Sequence, residues 1–177
     1  MEYLYGRSMK EIVYVDGIPD IETINNLFID ICSVLIDIHS AGLIHGDISP
    51  DNILRISGVG FKLIDFGAMK NFYKRESFSS TKVLKRGYAP IEQFATDGSI
   101  GPWTDIYSFG ASLYEITTGV MAQDAEERVY FDRVKAPIDI NPSVGRELSD
   151  GIMRAMALKA EDRFQSVEEF RRDVLRY

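Results

Sequence analysis

Between residues 103 and 118 apolar side chains recur on nearly every side of a helical wheel, and Gly119 supplies a stop. A helix apolar all round has no face to offer water, so the remaining chain must wrap it. The chain can do so: 177 residues with 45% hydrophobic and 11% aromatic content fit one globular domain and argue against disorder. A second long helix is predicted from Asp20, a capping residue, through Ile21, Ile24, Leu27, Phe28, Ile31, Leu35 and Ile38 to a stop at Gly42. Cys32 beside that stripe is expected to be a small buried apolar residue. Two aliphatic runs, residues 53–56 and 61–64, flank Ser57-Gly58-Val59-Gly60 and predict a small hairpin. A helical turn around residues 9–13, weaker helical character over 122–134, and helices over 145–158 and from Ser166 complete the pattern. Ser166 and Glu169 have capping-box spacing. Residues 67–100 lack a period and predict a long loop, of the kind that is usually functional. The fold class is mainly α with a small β-hairpin.

The composition excludes several functions. One cysteine rules out a disulfide framework or a cysteine-built zinc site, and two histidines, His39 and His45, make a histidine-rich metal site a poor prospect. A net charge of −7 gives no overall attraction to nucleic acid or an anionic membrane. The most apolar stretch, residues 27–38, is broken by Asp30 and Asp37 and is no membrane span. Met1 is followed by Glu2 and Tyr3, unlike a cleavable leader, and the expectation is a cytoplasmic domain without membrane contact.

The chemistry concentrates in His45-Gly46-Asp47-Ile48-Ser49-Pro50-Asp51-Asn52 and, 18 residues after Asp47, Asp65-Phe66-Gly67. Magnesium prefers a few hard oxygen ligands plus phosphate and water over an all-protein cage. A separate carboxylate can orient an attacking hydroxyl and accept its proton. Two carboxylates and an amide held on tight turns therefore suit phosphoryl transfer.

These motifs resemble the C-terminal lobe of a eukaryotic-like serine/threonine protein kinase of the bacterial type. His45, Asp47 and Asn52 match the catalytic-loop pattern H-R-D-x-x-x-x-N, and Asp65-Phe66-Gly67 matches D-F-G in full. Met1-Glu2-Tyr3-Leu4 resembles the end of the fifth strand and the hinge. Gly87-Tyr88-Ala89-Pro90-Ile91-Glu92-Gln93 resembles the close of the activation loop, and Thr104-Asp105-Ile106-Tyr107-Ser108-Phe109-Gly110 resembles the central buried helix. The resemblance spans the whole chain as a single domain. Residues 1–7 would be the hinge, 45–52 the catalytic loop and 65–92 the activation segment. It implies ATP and Mg2+ (or Mn2+) as cofactors and a protein substrate. Asp47 would act as base, and Asn52 and Asp65 would hold the metal. Glu2 and Leu4 would offer backbone groups to adenine. His45, Phe66 and Gly67 would be structural, Asp105 would brace the catalytic loop, and Arg163 would pair with Glu92.

The chain also departs from that family's pattern. The glycine-rich loop, the strand Lys and the helix Glu of the upper lobe are absent, which implies weak ATP binding and negligible transfer by this chain alone. The N-terminal lobe is then a required partner. Gly46 replaces the usual Arg, so Ser77, Ser79, Ser80 and Thr81 need not be phosphorylated for activity. Ser49 stands where a Lys is usual and Lys85 where a Thr is usual, so Lys85 can supply the missing cation, unless it is one of several solvated basic residues with Lys82 and Arg86. One extra residue separates Pro90 from Glu92. His-Gly-Asp with Asn five residues on also fits aminoglycoside- or choline-type phosphotransferases, and a pseudokinase or docking module is a further alternative.

Overall fold

The structure is a computed structural model and describes residues 6–72, 84–95 and 99–175. Helices dominate. After a short strand β1 (Arg7–Ser8) come α1 (Met9–Asp16) and the long α2 (Ile21–Ser40), capped by Asp20 Oδ1, which accepts from the Thr23 amide at 2.7 Å. Gly42 leaves α2 with φ 75°, a left-handed conformation that glycine tolerates best. Strand β2 (Leu43–Ile44) precedes a turn of 3-10 helix at Pro50–Asn52, and β3 (Ile53–Ile56) and β4 (Gly60–Leu63) form the expected hairpin. A short strand β5 (Lys70–Asn71) follows. Then come α3 (Pro102–Thr118), α4 (Ala125–Tyr130), α5 (Pro137–Ile140), α6 (Arg146–Ala155) and α7 (Val167–Val174).

Helix α3 is buried at every position from Thr104 to Thr118. Four of its hydroxyls survive there by bonding a carbonyl one turn back: Ser108 to Thr104, Ser112 to Ser108 at 2.7 Å, Thr117 to Leu113 at 2.7 Å and Thr118 to Tyr114 at 2.6 Å. Two carboxylates on the same helix, Asp105 and Glu115, have no such local solution and reach into other elements. Against α3 packs α2, with Phe28 stacked on Phe109 at 5.9 Å. Phe170 of α7 meets both rings edge-on, and Phe164 stacks on Phe170 at 4.8 Å. Helix α6 approaches α3 at Gly110, where a Cβ would lie 2.8 Å from that of Ala155. Cys32 is buried in this core, and the apolar environment pushes its thiol well above the usual range.

The sheets are larger than the sequence suggests. Strand β1 adds antiparallel to β3 with Arg7 opposite Arg55, so the hairpin becomes three-stranded in the order β1-β3-β4. A second ribbon joins β2 to β5, pairing Leu43 with Asn71 and Ile44 with Lys70. Both additions are two-residue strands, too short to carry an alternating pattern. Within residues 67–100, expected as loop throughout, β5 and a helical turn at Ile91–Gln93 are ordered. The weak helical stretch over 122–134 narrows to α4, and α5 begins at Pro137, where a missing N–H costs nothing. The Ser166 hydroxyl caps α7 by accepting from the Glu169 amide, but the Glu169 carboxylate returns to the Gln165 amide, one residue before the cap. Among the described residues no helix is long and apolar enough to cross a membrane.

Candidate active site

The turn after β2 is suspended from α3. Asp105, fully buried, accepts from the amide of His45 at 2.7 Å and from that of Gly46 at 2.8 Å. His39, in the last turn of α2, adds a contact from Nε2 at 2.9 Å. A buried carboxylate is tolerated when its lone pairs are filled, and here one side chain fixes two consecutive peptide groups. Gly46 has φ 75°, so any residue with a Cβ would be strained there, and the glycine fits the loop's backbone. The Gly46 carbonyl accepts from the side-chain amide of Gln93 at 3.1 Å, which ties the helical turn at Ile91–Gln93 to the same loop.

His45 is buried and orients its neighbours. Burial pushes its imidazole below the ordinary value, against the opposing pull of Asp105 and the Ile64 carbonyl. A neutral ring satisfies both of its contacts: Nε2–H donates to the Ile64 carbonyl at 3.1 Å, and Nδ1 accepts from the Asp47 amide at 3.3 Å. Phe66 packs edge-on to it at 5.3 Å. Both ring nitrogens are thus engaged by the backbone of the site.

Asp47 leaves the loop with its side chain 12% exposed. Asn52 donates its side-chain N–H to the Asp47 carbonyl at 2.7 Å, and its backbone carbonyl accepts from the Ile64 amide at 2.9 Å. The hairpin register, Ile53 opposite Leu63, thus sets Asn52 across from Ile64 and brings Asp65 next in line. Asp65 has φ 63°, the single non-glycine residue with positive φ among the described residues. Such a backbone costs of order 1–3 kcal/mol and is found where a side chain must be aimed. Its Oδ1 accepts from the Gly67 amide at 3.3 Å, and Asp65, Phe66 and Gly67 are all exposed.

The donor set suits a magnesium-type cation. Asn52 spends its side-chain N–H on the loop and keeps its side-chain oxygen Oδ1, while Asp65 offers an exposed carboxylate. Among the described residues no group of three or more His, Cys, Asp or Glu forms an all-protein cage. One amide oxygen and one carboxylate match a cation that completes its shell with phosphate and water. Lys85 lies beside Asp47: its Nζ donates to Ser49 Oγ at 2.9 Å and is 3.7 Å from Asp47 Oδ1.

Glu92 and Arg163 lock the segment's end to the base of the fold. The guanidinium contacts both Glu92 oxygens, at 2.7 and 3.1 Å, and donates to the carbonyls of Ala157, Leu158 and Trp103. All five of its N–H groups are used, its side chain is 0% exposed, and it lies over the Tyr107 ring.

Glu2 and Leu4, like Ser77, Ser79, Ser80, Thr81 and Lys82, lie outside the described residues. The structure brings together Asp47, Lys85 and Ser49, with Asn52 and Asp65 at the base of the hairpin, and sets the buried His45 and Asp105 behind them, the exposed Phe66 packing on His45. Sequence reasoning did not single out His39, Gln93 or Thr104, whose hydroxyl donates to Glu92 at 3.1 Å. Each acts through a partner distant in sequence, and only a buried polar residue in an otherwise apolar context hinted at them.

The protein kinase domain family matches residues 1–164. The serine/threonine-protein kinase PknB of Mycobacterium leprae is 29% identical over 184 residues, covering 99% of this chain and 29% of that protein. The chain thus spans less than a third of the curated relatives it matches. Among solved structures, PpkA-294 in its apo form superposes with a TM-score of 0.83 at 32% identity, covering 98% of this chain and 61% of that one. The Rad53 kinase domain superposes with a TM-score of 0.75 at 20% identity, a likeness of fold, covering 99% of this chain and 64% of that one. Motifs, loop geometry and fold agree: the chain belongs to the protein kinase family.

Proposed function

We propose that this chain is the C-terminal lobe of an ATP- and magnesium-dependent serine/threonine protein kinase. The observation that carries the reading is the single Asp47 carboxylate, steadied through its backbone by Asn52 and His45 and faced by Lys85, at the end of a loop hung from Asp105. Asp47 receives the proton of a serine or threonine hydroxyl as its oxygen bonds to the γ-phosphorus and ADP departs. Asn52 and Asp65 hold magnesium, which when bound neutralises the phosphate charge. Lys85 places a cation beside the same acceptor, where negative charge grows during transfer.

The exposed Asp65-Phe66-Gly67 face, with Phe66 48% exposed, is the surface against which an upper lobe packs. That lobe supplies the lid over the phosphates. In its absence ATP binds weakly and transfer is negligible.

The test is labelled phosphate transfer from ATP, with this chain alone and with the chain joined to an upper lobe. The joined protein labels serine or threonine in a protein substrate, the chain alone does not, and Lys85→Ala lowers the joined protein's turnover by roughly 10²-fold. Equal turnover by the chain alone refutes the lobe assignment. Labelling of an aminoglycoside but no protein assigns the site to small-molecule phosphotransferases, and intact turnover in Lys85→Ala removes that residue's role.

A further inference from the structure

A second charged cluster lies next to the acceptor-facing segment, and phosphoryl transfer does not use it. Lys10, on α1, bonds Glu115 Oε1 and approaches the Tyr88 hydroxyl at 3.3 Å, while that hydroxyl donates to Glu115 Oε2. Three separate elements meet here. Helix α1 packs on the Pro50–Asn52 turn of the catalytic loop, Tyr88 follows Lys85 by three residues, and Glu115 projects from the buried α3. Glu115 is 6% exposed, and both of its oxygens are taken. Burial and the Glu115 carboxylate hold the Tyr88 hydroxyl protonated, as a donor must be.

The lysine is the exposed member of the cluster. Its side chain is 38% exposed against 8% for Glu115, so water and any incoming peptide meet the ammonium first. Lys85 and Arg86, with side chains 34% and 77% exposed, follow along the segment, each 3.7 Å from a carboxylate, Asp47 and Asp124. Asp51, exposed on the adjoining turn, is the carboxylate left facing Tyr88 from the catalytic loop.

We propose that Lys10 determines substrate specificity by occupying Glu115, so that the groove beside Asp47 rejects peptides with Lys or Arg flanking the acceptor hydroxyl and accepts those with Asp or Glu there. The inference rests on the protein kinase reading. A buried carboxylate is the strongest point in this cluster for a substrate cation. Lys10 fills it from within, and a basic peptide meets like charge instead, a repulsive element that discriminates as effectively as an attractive one.

The test compares kcat/KM for peptides that differ only in Glu, Gln or Arg beside the acceptor serine, using the protein with both lobes. The unmodified protein favours the Glu peptide over the Arg peptide by about tenfold, and Lys10→Met reverses the order through the KM of the Arg peptide. Lys10→Met/Glu115→Gln, which removes both charges and leaves no buried ion unpaired, abolishes the reversal. A preference for the Arg peptide in the unmodified protein, or an unchanged Glu-to-Arg ratio in both variants, overturns the inference. If Lys10→Met fails to fold, the double variant decides: loss of the Glu preference supports the inference and its retention overturns it. Labelling of no peptide or protein by the unmodified protein sinks the kinase reading itself, a separate failure.

Discussion

Arg163→Met lowers stability by roughly 3–5 kcal/mol, although the two side chains have similar volume. The guanidinium is wholly buried, and every one of its donors has a partner. Methionine leaves the Glu92 carboxylate, 9% exposed at its side chain, without its counterion and withdraws a donor from the carbonyls of the half-buried Ala157, Leu158 and Trp103. For a domain of this size the loss corresponds to a fall in melting temperature of roughly 10 °C, read by calorimetry or circular dichroism. Arg163→Lys recovers part of it at most, because an ammonium cannot span both carboxylate oxygens and the carbonyls together. A double cycle with Glu92→Gln isolates the coupling, since the neutral amide introduced there leaves no charge unpaired when the guanidinium is removed as well. A loss below about 1 kcal/mol in Arg163→Met would show that the contact is peripheral.

Asp105→Asn acts at the other end of the site. The side chains are nearly isosteric, but one asparagine arm is an NH2 group. Either the His45 or the Gly46 amide then faces a donor instead of an acceptor, at a carboxylate buried from solvent. Leaving a buried amide unpaired costs about 1–3 kcal/mol, and the loss of the charge-assisted bonds adds to it. Function suffers more than stability. Asp47 is next in the chain after Gly46, and a displacement of about 1 Å costs on the order of 10²-fold in rate. Hydrogen exchange reads the cause directly: the amides of His45 and Gly46 lose protection in Asp105→Asn while those of α3 keep theirs. Unchanged protection at both amides would mean that the loop does not hang from Asp105.

Local signals made the helical frame legible. Asp20 and Gly42 bracket α2 because a cap and a left-handed stop act within one turn, and the residues expected on its stripe are buried except Ile21, which at the first turn is 42% exposed. The all-apolar stretch produced α3 for the same reason. The two-residue strands β1, β2 and β5 escaped because a strand that short exists only through its partner, and neither Arg7-Ser8 nor Lys70-Asn71 carries β propensity. In the site, the expected hairpin set Asn52 beside Asp65, since a hairpin is a local structure whose register fixes what stands opposite, while Asp47 lies in the loop before it. Gln93 to the Gly46 carbonyl, and Lys10 with Tyr88 and Glu115, were illegible: their partners are far away in sequence, and a backbone carbonyl has no residue identity to search for. Lys85 stood between the two cases, named from its position in the segment, with its contacts to Ser49 and Asp47 known only from the fold.

In the proposed kinase Asn52 and Asp65 share one cation with a nucleotide's phosphates, close to Asp47. Paramagnetic broadening by Mn2+ tests this on the isotope-labelled 177-residue chain itself, because it detects weak binding. With ATP present, the amides of Asp47, Asn52 and residues 65–67 broaden first, and Asp65→Asn suppresses the effect. Broadening centred instead on the acidic surface of Glu147, Asp150 and Asp173, with the 45–52 loop and residues 65–67 untouched, would contradict it.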